Sequence, residues 1–223
     1  MMRDEQLLLN QELPSIVVIN GLAYPIHFGF KTGIQMDLAY HDEKYTLEER
    51  YVHMLHLFYL EIPEDIEAAL NQMLWFFTCG KYDPEVEKKR TEQENAGQQK
   101  PQKKEPRQFC FSQDAELILS AFYSEYGIML NRLQDEDLHW WEFMALFSGL
   151  PESTTIKRYI EIRTCSLNGL PEAERKRIRK LRSRIRIQRE IKDADLSPAM
   201  RLQKRNERWL EYARKRSYEA GKT

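Results

Sequence analysis

The sequence predicts a mostly helical protein with a small N-terminal β-hairpin, helical bundle units and a basic C-terminal helical tail. Apolar residues recur at helical spacing along most of the chain, which is the pattern of amphipathic helices. An Asn-Gly pair separates two short β-type runs near the N-terminus, and arginine and lysine are concentrated in the last quarter. With 223 residues, of which 42% are hydrophobic, the chain is long enough for one or two domains with a buried core.

The hairpin is predicted over two β-type runs, residues 15–19 and 22–26, that flank Asn20-Gly21. This dipeptide supplies the two left-handed residues that a type I′ turn requires. Pro25 cannot donate a ladder hydrogen bond, so we expect it on an edge strand or at a position that faces outward. Because a two-stranded hairpin is marginal alone, the helices that follow must pack against it.

Two helices are predicted after the hairpin. Thr46-Leu47-Glu48-Glu49 has the pattern of a capping box and begins the first helix. Pro63 is expected at the first position of the second helix, where the acids that follow it favour the positive end of the helix dipole. Gly80 is expected to cap the C-terminus of that helix. The hairpin and these helices make up the first segment of the chain, residues 1–80.

The second segment, residues 81–108, has the composition of a linker. Glutamine, glutamate and lysine dominate it, and Val86 is its only aliphatic residue larger than alanine. Such a segment cannot bury enough apolar area to offset roughly 1–2 kcal/mol of backbone entropy per residue. We therefore predict disorder in this segment, with a short helix at residues 85–94.

The third segment, residues 109–170, is predicted to form a compact unit of three helices. Ser112 is the expected N-cap of the first helix, and Gly127 is expected to end it. The second helix is rich in aromatic residues and ends at a Gly-Leu-Pro sequence. The third helix is predicted over residues 152–163.

The aromatic helix of this unit contains two adjacent tryptophans, Trp140 and Trp141. Their side chains point about 100° apart on a helix, and we expect Trp141 in the core. For Trp140 two alternatives stay open: it covers a neighbouring helix, or it lies in an exposed groove that accepts a partner helix. On the second alternative, Trp140, Phe143 and Phe147 are the partner-binding residues. His139 is expected to be a cap or a hydrogen-bond partner and not a catalytic base.

The fourth segment, residues 171–223, is predicted to be a basic helical tail. Pro171 is expected at a first helical position, and Ser197-Pro198 is expected to begin a second helix, which could fold back on the first. A narrow apolar stripe is formed by Ile178, Leu181 and Ile185. The arginines expected to contact a partner are Arg175, Arg179, Arg182 and Arg186.

The net charge of −1 conceals a strong asymmetry along the chain. Residues 1–80 carry 4 basic and 12 acidic side chains, net −8, whereas residues 171–223 carry 18 and 8, net +10. A helix this rich in arginine could lie along phosphates, or it could dock on the body of the protein or on a protein partner. A protein partner is favoured, because the sequence has no recognisable DNA-binding motif and its acidic body would repel nucleic acid.

The sequence carries no strong enzyme signature, so we expect no catalytic residues, no cofactor and no metal. It has no phosphate-binding glycine loop, nucleophile elbow or zincin motif. His53 with His56, and His139 with Glu142, have the spacing of metal ligands, but two residues do not make a site. The sequence contains no apolar run of membrane-spanning length, and the acidic N-terminus is unlike a signal peptide. Three cysteines without metal-type spacing indicate a reducing, intracellular compartment.

A specific resemblance lies in the aromatic helix and the helix before it. Residues 114–118 are Asp-Ala-Glu-Leu-Ile, Ala121-Phe122 and Tyr126-Gly127-Ile128 follow, and residues 138–151 are LHWWEFMALFSGLP. These segments resemble the gene-product-fifteen family of bacteriophages, whose pattern is DaElI, aaF, YGIDL and LHWWkFmaLl.GLp. Met129 departs from that pattern, because family members usually carry aspartate there. The resemblance extends more loosely over the hairpin and residues 62–80.

The resemblance implies a tail-region protein of phages with long non-contractile tails that infect Gram-positive bacteria. The position of the family's genes, between those of the major tail protein and the tape-measure protein, implies a tail-assembly chaperone or adaptor in the host cytoplasm. Its expected partners are the tape-measure protein and the major tail protein, with self-association left open. Nucleic acid is not favoured as a partner, and no membrane is expected. The alternatives are a structural tail or connector component of the virion and a nucleic-acid-binding protein that uses the basic tail.

Overall fold

A computed structural model of the chain describes residues 12–95 and 107–187. These residues form α-helices, with a two-stranded antiparallel sheet before the first helix. The predicted fold class, mostly helical with a small N-terminal hairpin, is confirmed. The strands are β1 (Ile16–Ile19) and β2 (Leu22–Pro25), and the helices are α1 (Phe30–His41), α2 (Leu47–Phe58), α3 (Ile66–Phe77), α4 (Pro84–Asn95), α5 (Ala115–Tyr126), α6 (Trp140–Ser148), α7 (Thr155–Thr164) and α8 (Glu172–Arg184).

The hairpin has the predicted turn. Asn20 and Gly21 have φ angles of 51° and 80°, as a type I′ turn requires. Ile26 N–H donates to Ser15 O at 3.1 Å, and bonded and non-bonded pairs alternate along an antiparallel ladder. Pro25, opposite Ile16, therefore occupies a non-bonded position where no ladder donor is needed, which confirms the expectation that it faces outward.

Helix α1 was not predicted from the sequence. It contains Gly33 and several polar residues, so it lacks the apolar spacing and the helix propensity that mark the other helices. Tertiary contacts compensate for this weakness, because α1 packs against both α2 and α6. The strand pair and α1 are also tied to the rest of the fold by isolated bridges between Ile26 and Tyr59 and between Gly29 and His139.

The ends of α3 differ from the prediction in detail. Its N-cap is Asp65, whose carboxylate accepts a hydrogen bond from Ala68 N–H at 3.0 Å, so Pro63 precedes the helix and is not its first residue. At the other end, Cys79 takes the left-handed position with φ of 54°. Gly80 N–H donates to Trp75 O at 2.8 Å, which completes a Schellman motif with Gly80 one residue beyond the expected place.

Helix α4 lies in the segment predicted as a linker. Its bounds, Pro84–Asn95, confirm the short helix expected at residues 85–94, and its one aliphatic residue, Val86, is 59% exposed. Residues 96–106 lie outside the described residues, so the disorder predicted for that part stays a prediction. The expected C-terminal helix beginning at Ser197-Pro198 also lies outside them.

The boundaries of the later helices agree with the sequence to within a few residues. Gly127, with φ of 70°, caps α5 in the left-handed conformation as expected. The N-cap of α5 is Asp114 and not Ser112, and its carboxylate bonds elsewhere instead of capping the helix. Pro171 is the N-cap of α8, one residue before the helical position expected for it.

The buried apolar side chains of the described residues form one core cluster. Apart from the loop 42–46, these residues belong to one compact unit, so the first and third predicted segments share a core. The division into four segments stays a prediction about chain organisation. Large core residues come from most elements: Val17 and Ile19 of β1, Phe30 and Met36 of α1, Met54 and Phe58 of α2, Met73 and Phe76 of α3, Phe122 of α5, Phe143 of α6 and Ile156 of α7.

Candidate functional site

The adjacent tryptophans of α6 close the C-terminal end of α3. The last carbonyl groups of a helix have no partner within the helix and need donors from elsewhere. Trp141 Nε1–H donates to Phe76 O at 2.8 Å, and Trp140 Nε1–H donates to Phe77 O at 3.0 Å. Each indole therefore buries its apolar surface and satisfies its single donor at the same time.

Trp140 is fully enclosed by other residues. Its ring stacks on Phe77 with centroids 5.7 Å apart and an interplanar angle of 3°, and only 2% of the residue is exposed. Gly33 of α1 also lies against the ring, and a Cβ atom there would come within 2.1–2.8 Å of the indole. The absence of a side chain at this position therefore lets the backbone of α1 approach the ring.

The alternative in which Trp140, Phe143 and Phe147 line an exposed groove on α6 is wrong. Phe143 is 0% and Phe147 4% exposed, and the ring of Phe143 stacks on those of Phe30 and Phe122. These aromatic side chains face α1, α3 and α5 because those helices converge on the short α6, so none of the three side chains is exposed. Of the two alternatives for Trp140, the structure shows packing against a neighbouring helix, and Trp141 lies in the core as expected.

His139 is the N-cap of α6, which confirms the structural role expected for it. Its Nδ1 accepts a hydrogen bond from Trp141 N–H at 3.0 Å, and its Nε2 lies 3.1 Å from Pro14 O. The Glu142 carboxylate accepts the His139 N–H at 3.1 Å and completes a capping box. Burial lowers the pKa of His139, while the Pro14 carbonyl and Glu142 act in the opposite direction. The neutral ring with its proton on Nε2 is the form that fits both hydrogen bonds.

The loop before α6 caps α1 from a distance of about a hundred residues in sequence. Asp135 Oδ1 accepts hydrogen bonds from the backbone N–H groups of Lys31 at 2.7 Å and Thr32 at 3.1 Å, and its Oδ2 accepts the Thr32 hydroxyl at 2.7 Å. A Cβ on Gly29 would lie 2.3 Å from Asp135 atoms, so a side chain there would displace the cap. This cap was not predicted from the sequence, because a capping pattern is recognisable only when the cap and the helix are adjacent in the chain.

A buried ion pair joins α7 to α5. The Arg163 guanidinium donates to both carboxylate oxygens of Asp114, at 2.6 and 2.9 Å, and the two side chains are 8% and 4% exposed. Asp114 also accepts the Cys110 N–H at 2.9 Å, and Arg163 donates to Gln108 O and to Ile185 O. The arginine therefore connects the region before α5, helix α7 and the residue that follows α8.

The four arginines predicted to contact a partner lie on α8 and just after it, and they have different surroundings. Arg182 is half-buried and donates to Ile162 O at 2.6 Å and to Cys165 O, so it attaches α8 to the end of α7. Arg175 is half-buried and donates to Leu170 O at 2.8 Å. Arg179 and Arg186 are exposed. Ile178, Leu181 and Ile185, the predicted apolar stripe, are all half-buried.

An exposed apolar surface that the sequence analysis did not single out lies on the hairpin. Ile16 is 52% and Val18 61% exposed, and their cross-strand neighbours, Pro25 and Ala23, are exposed as well. The sequence of β1, Ile-Val-Val-Ile, gives no signal for this surface, because the inward and outward positions are both apolar.

The description "Bacteriophage Gp15 protein" belongs to a family model that matches residues 9–187, most of the chain. The chain belongs to the bacteriophage Gp15 family. Membership in the Gp15 family indicates a phage structural or tail-region protein. The chain has no significant match among curated proteins or among solved structures.

The residues that carry the family resemblance in this Gp15 protein are structural in the described fold. Asp114 holds Arg163, Gly127 ends α5, and His139 with the two tryptophans links α6 to α3. Within the described residues, no group of three or more His, Cys, Asp or Glu side chains could hold a metal ion. None of the described helices has the length and apolarity needed to cross a membrane.

Proposed function

We propose that this Gp15 protein is a tail-assembly chaperone or adaptor that binds the tape-measure protein, the tail-tube protein or both during long-tail morphogenesis. We place this activity in the host cytoplasm, before the tail is complete, and we propose no catalytic activity. The family match supports a role in the tail region. The described structure supports a binding role, because its distinctive features are surfaces, one basic and one apolar.

The observation that carries the proposal is the basic surface of α8. Six exposed cations lie on this helix or just after it: Lys176, Arg177, Arg179, Lys180, Arg184 and Arg186. Arg163 and Arg182 fix the position of the helix by bonding to carbonyl groups at the end of α7 and just after α8. A row of cations held on a fixed helix favours fast, oriented association with an acidic protein surface.

The same surface supports one rival function, nucleic-acid binding. Contacts to phosphates release counterions, so an affinity built on about six to ten of them falls by roughly 10³–10⁵ between about 50 and 200 mM salt. Burial of apolar surface is not screened in this way. A complex with the tape-measure protein that includes apolar contacts should therefore persist at salt concentrations that abolish retention on DNA.

The proposal is tested by capture of the co-expressed tape-measure and tail-tube proteins across a salt series, with duplex DNA in parallel. Arg179→Glu with Arg186→Glu should weaken capture, whereas the matched variant Arg132→Glu, an exposed arginine away from α8, should not. Salt-sensitive DNA retention without any complex of the wild-type protein with tail proteins would replace the chaperone proposal with the nucleic-acid one. Stoichiometric amounts of the chain in purified virions would favour a structural component instead.

A further inference from the structure

The outer face of the hairpin is apolar over its whole area. The register pairs Ile16 with Pro25 and Val18 with Ala23, and paired residues of a sheet point to the same side. All four are exposed, and none carries a charge or a hydrogen-bonding side chain. An antiparallel sheet with one side on a core normally has polar residues on the other side. These four residues, the hairpin face, depart from that pattern.

Folding does not account for the hairpin face. The inward residues of β1, Val17 and Ile19, are already 3% and 4% exposed and supply the contacts with the core. The β-branched shape of Val18 suits a strand, but threonine has the same shape and would leave a polar surface. The apolar character of the face therefore has no use inside the described structure.

The surroundings of the hairpin face are negatively charged. Asn20 in the turn donates to Asp65 Oδ2 at 3.0 Å, which places the turn beside the start of α3. Glu64, Asp65 and Glu67 are exposed there, and Glu12 is exposed just before β1. Hydrogen bonds from Ala68 N–H and Asn20 lower the pKa of Asp65, so its carboxylate is ionised. Residues 12–30 and 51–80, which include the hairpin and the start of α3, contain no lysine or arginine.

We propose that the hairpin face binds an amphipathic helix of a protein partner, with the apolar stripe of that helix on Ile16 and Val18 and its basic flanks toward the acids at the two ends of the hairpin. The dimensions agree. Each four-residue strand is about 13 Å long, which matches the length of about two and a half turns of helix. This inference rests on the proposed function and names the surface that would hold the tape-measure or tail-tube protein.

The test uses the full-length protein and two synthetic helical peptides of about five turns as probes. Both peptides carry the same leucine stripe, flanked by lysines in one and by glutamates in the other, and binding is measured by fluorescence anisotropy. We expect the lysine-flanked peptide to bind at least about tenfold more tightly. Val18→Lys should weaken its binding by about tenfold or more, because a buried valine contributes that much to an affinity.

Two further variants make the result specific to the hairpin face. Val18→Thr keeps the side-chain shape and should weaken binding in the same direction, so the test does not depend on whether Val18→Lys folds. Val86→Lys changes a valine on α4 that is 59% exposed, close to the 61% of Val18, and should leave binding unchanged. Equal binding of the lysine-flanked and glutamate-flanked peptides, or equal loss in Val18→Thr and Val86→Lys, would overturn the proposal.

Other occupants of the hairpin face give different results. Self-association of the wild-type protein that Val18→Lys abolishes in sedimentation would show that a second copy covers it. A large gain in peptide affinity after deletion of residues 1–11 would show that the chain covers it itself. Capture of the tape-measure or tail-tube protein by wild type and by Val18→Lys alike would defeat the hairpin face but not the chaperone function. Peptide binding without capture of either tail protein would support the hairpin face as a binding surface and defeat the chaperone function.

Discussion

The aromatic helix α6 and the hairpin face show that large apolar residues in a sequence are a poor guide to which apolar surface is exposed. Helix α6 has the most conspicuous residues of the chain, yet Trp140, Trp141 and Phe143 are at most 4% exposed and the indole donors are satisfied. The hairpin face is made of modest aliphatic residues, yet Ile16 and Val18 are more than half exposed. Large aromatic side chains reach several helices at once, whereas a two-stranded sheet can bury only one side.

The largest effect is expected at the tryptophans. Because both are buried, Trp140→Ala and Trp141→Ala should each lower the free energy of unfolding by about 3–5 kcal/mol. A Trp140 that lay in an exposed groove would give a much smaller loss. Trp140→Phe keeps most of the ring but leaves Phe77 O without its donor, and should cost about 1–3 kcal/mol. Chemical denaturation measures all three. A loss below about 0.5 kcal/mol for Trp140→Ala would show that this residue is exposed, and α6 would then not differ from the hairpin face in exposure.

The buried ion pair between α7 and the start of α5 should give a comparable loss. Arg163→Met leaves Asp114 buried without its partner, and should cost about 3–5 kcal/mol in the free energy of unfolding. Arg163→Met combined with Asp114→Leu should recover much of that loss, because no charge is then left buried. Arg90→Met, which breaks an exposed pair with Glu87 on α4, should cost less than about 1 kcal/mol. Additive losses in the double variant would show that the two side chains act independently.

A smaller effect is expected where α1 approaches α6. Gly33→Ala places a methyl group against the ring of Trp140, and should cost about 1–3 kcal/mol despite the better helix propensity of alanine. The matched variant is Ala39→Gly in the same helix, which should cost about 0.5–1 kcal/mol or more for the opposite reason. Stabilisation by Gly33→Ala in thermal unfolding would mean that α1 and α6 are farther apart than described.

The cap of α6 should make stability depend on pH. Since burial lowers the pKa of His139, the unfolded chain binds more protons than the folded one below the ordinary histidine value of 6.5. The free energy of unfolding should therefore fall as the pH drops through 6.5 and level off below the lowered pKa. His139→Asn keeps an N-cap without a titrating ring and should flatten this dependence between about pH 8 and 5, whereas the exposed His53→Asn should not.

The smallest effect on stability is expected on the hairpin face. Val18→Thr should change the free energy of unfolding by no more than about 0.5 kcal/mol, because the side chain makes few contacts that folding could lose. Val17→Thr, one residue away on the inner side and 3% exposed, should cost far more. Urea denaturation of the two variants compares the two sides of one strand directly. Equal losses would show that the outer side is also covered in solution.

The sequence by itself determined the local structure of this protein wherever one short stretch contains the whole signal. Asn20-Gly21 fixed the type I′ turn and with it the register of the hairpin, because few residues tolerate left-handed backbone angles. Gly127 fixed the end of α5 for the same reason, and Tyr126-Gly127-Ile128 with the aromatic run in α6 was enough for the resemblance that the family match confirmed. Helical spacing also located α2, α3, α5 and α7 to within a few residues.

Only the tertiary structure decided which of these surfaces face solvent. Asp135 and Asp114 lie far in sequence from Thr32 and Arg163, so no local pattern predicts the cap or the ion pair that they form. Helix α1 exists because α2 and α6 cover it, although its own sequence favours a helix only weakly. Trp140 is buried because Phe77 O at the end of α3 accepts its indole N–H and because Gly33 of α1 leaves room for its ring. Burial depends on the packing of the whole chain. The type of a residue therefore does not indicate whether its side chain fills the core or is available to a partner.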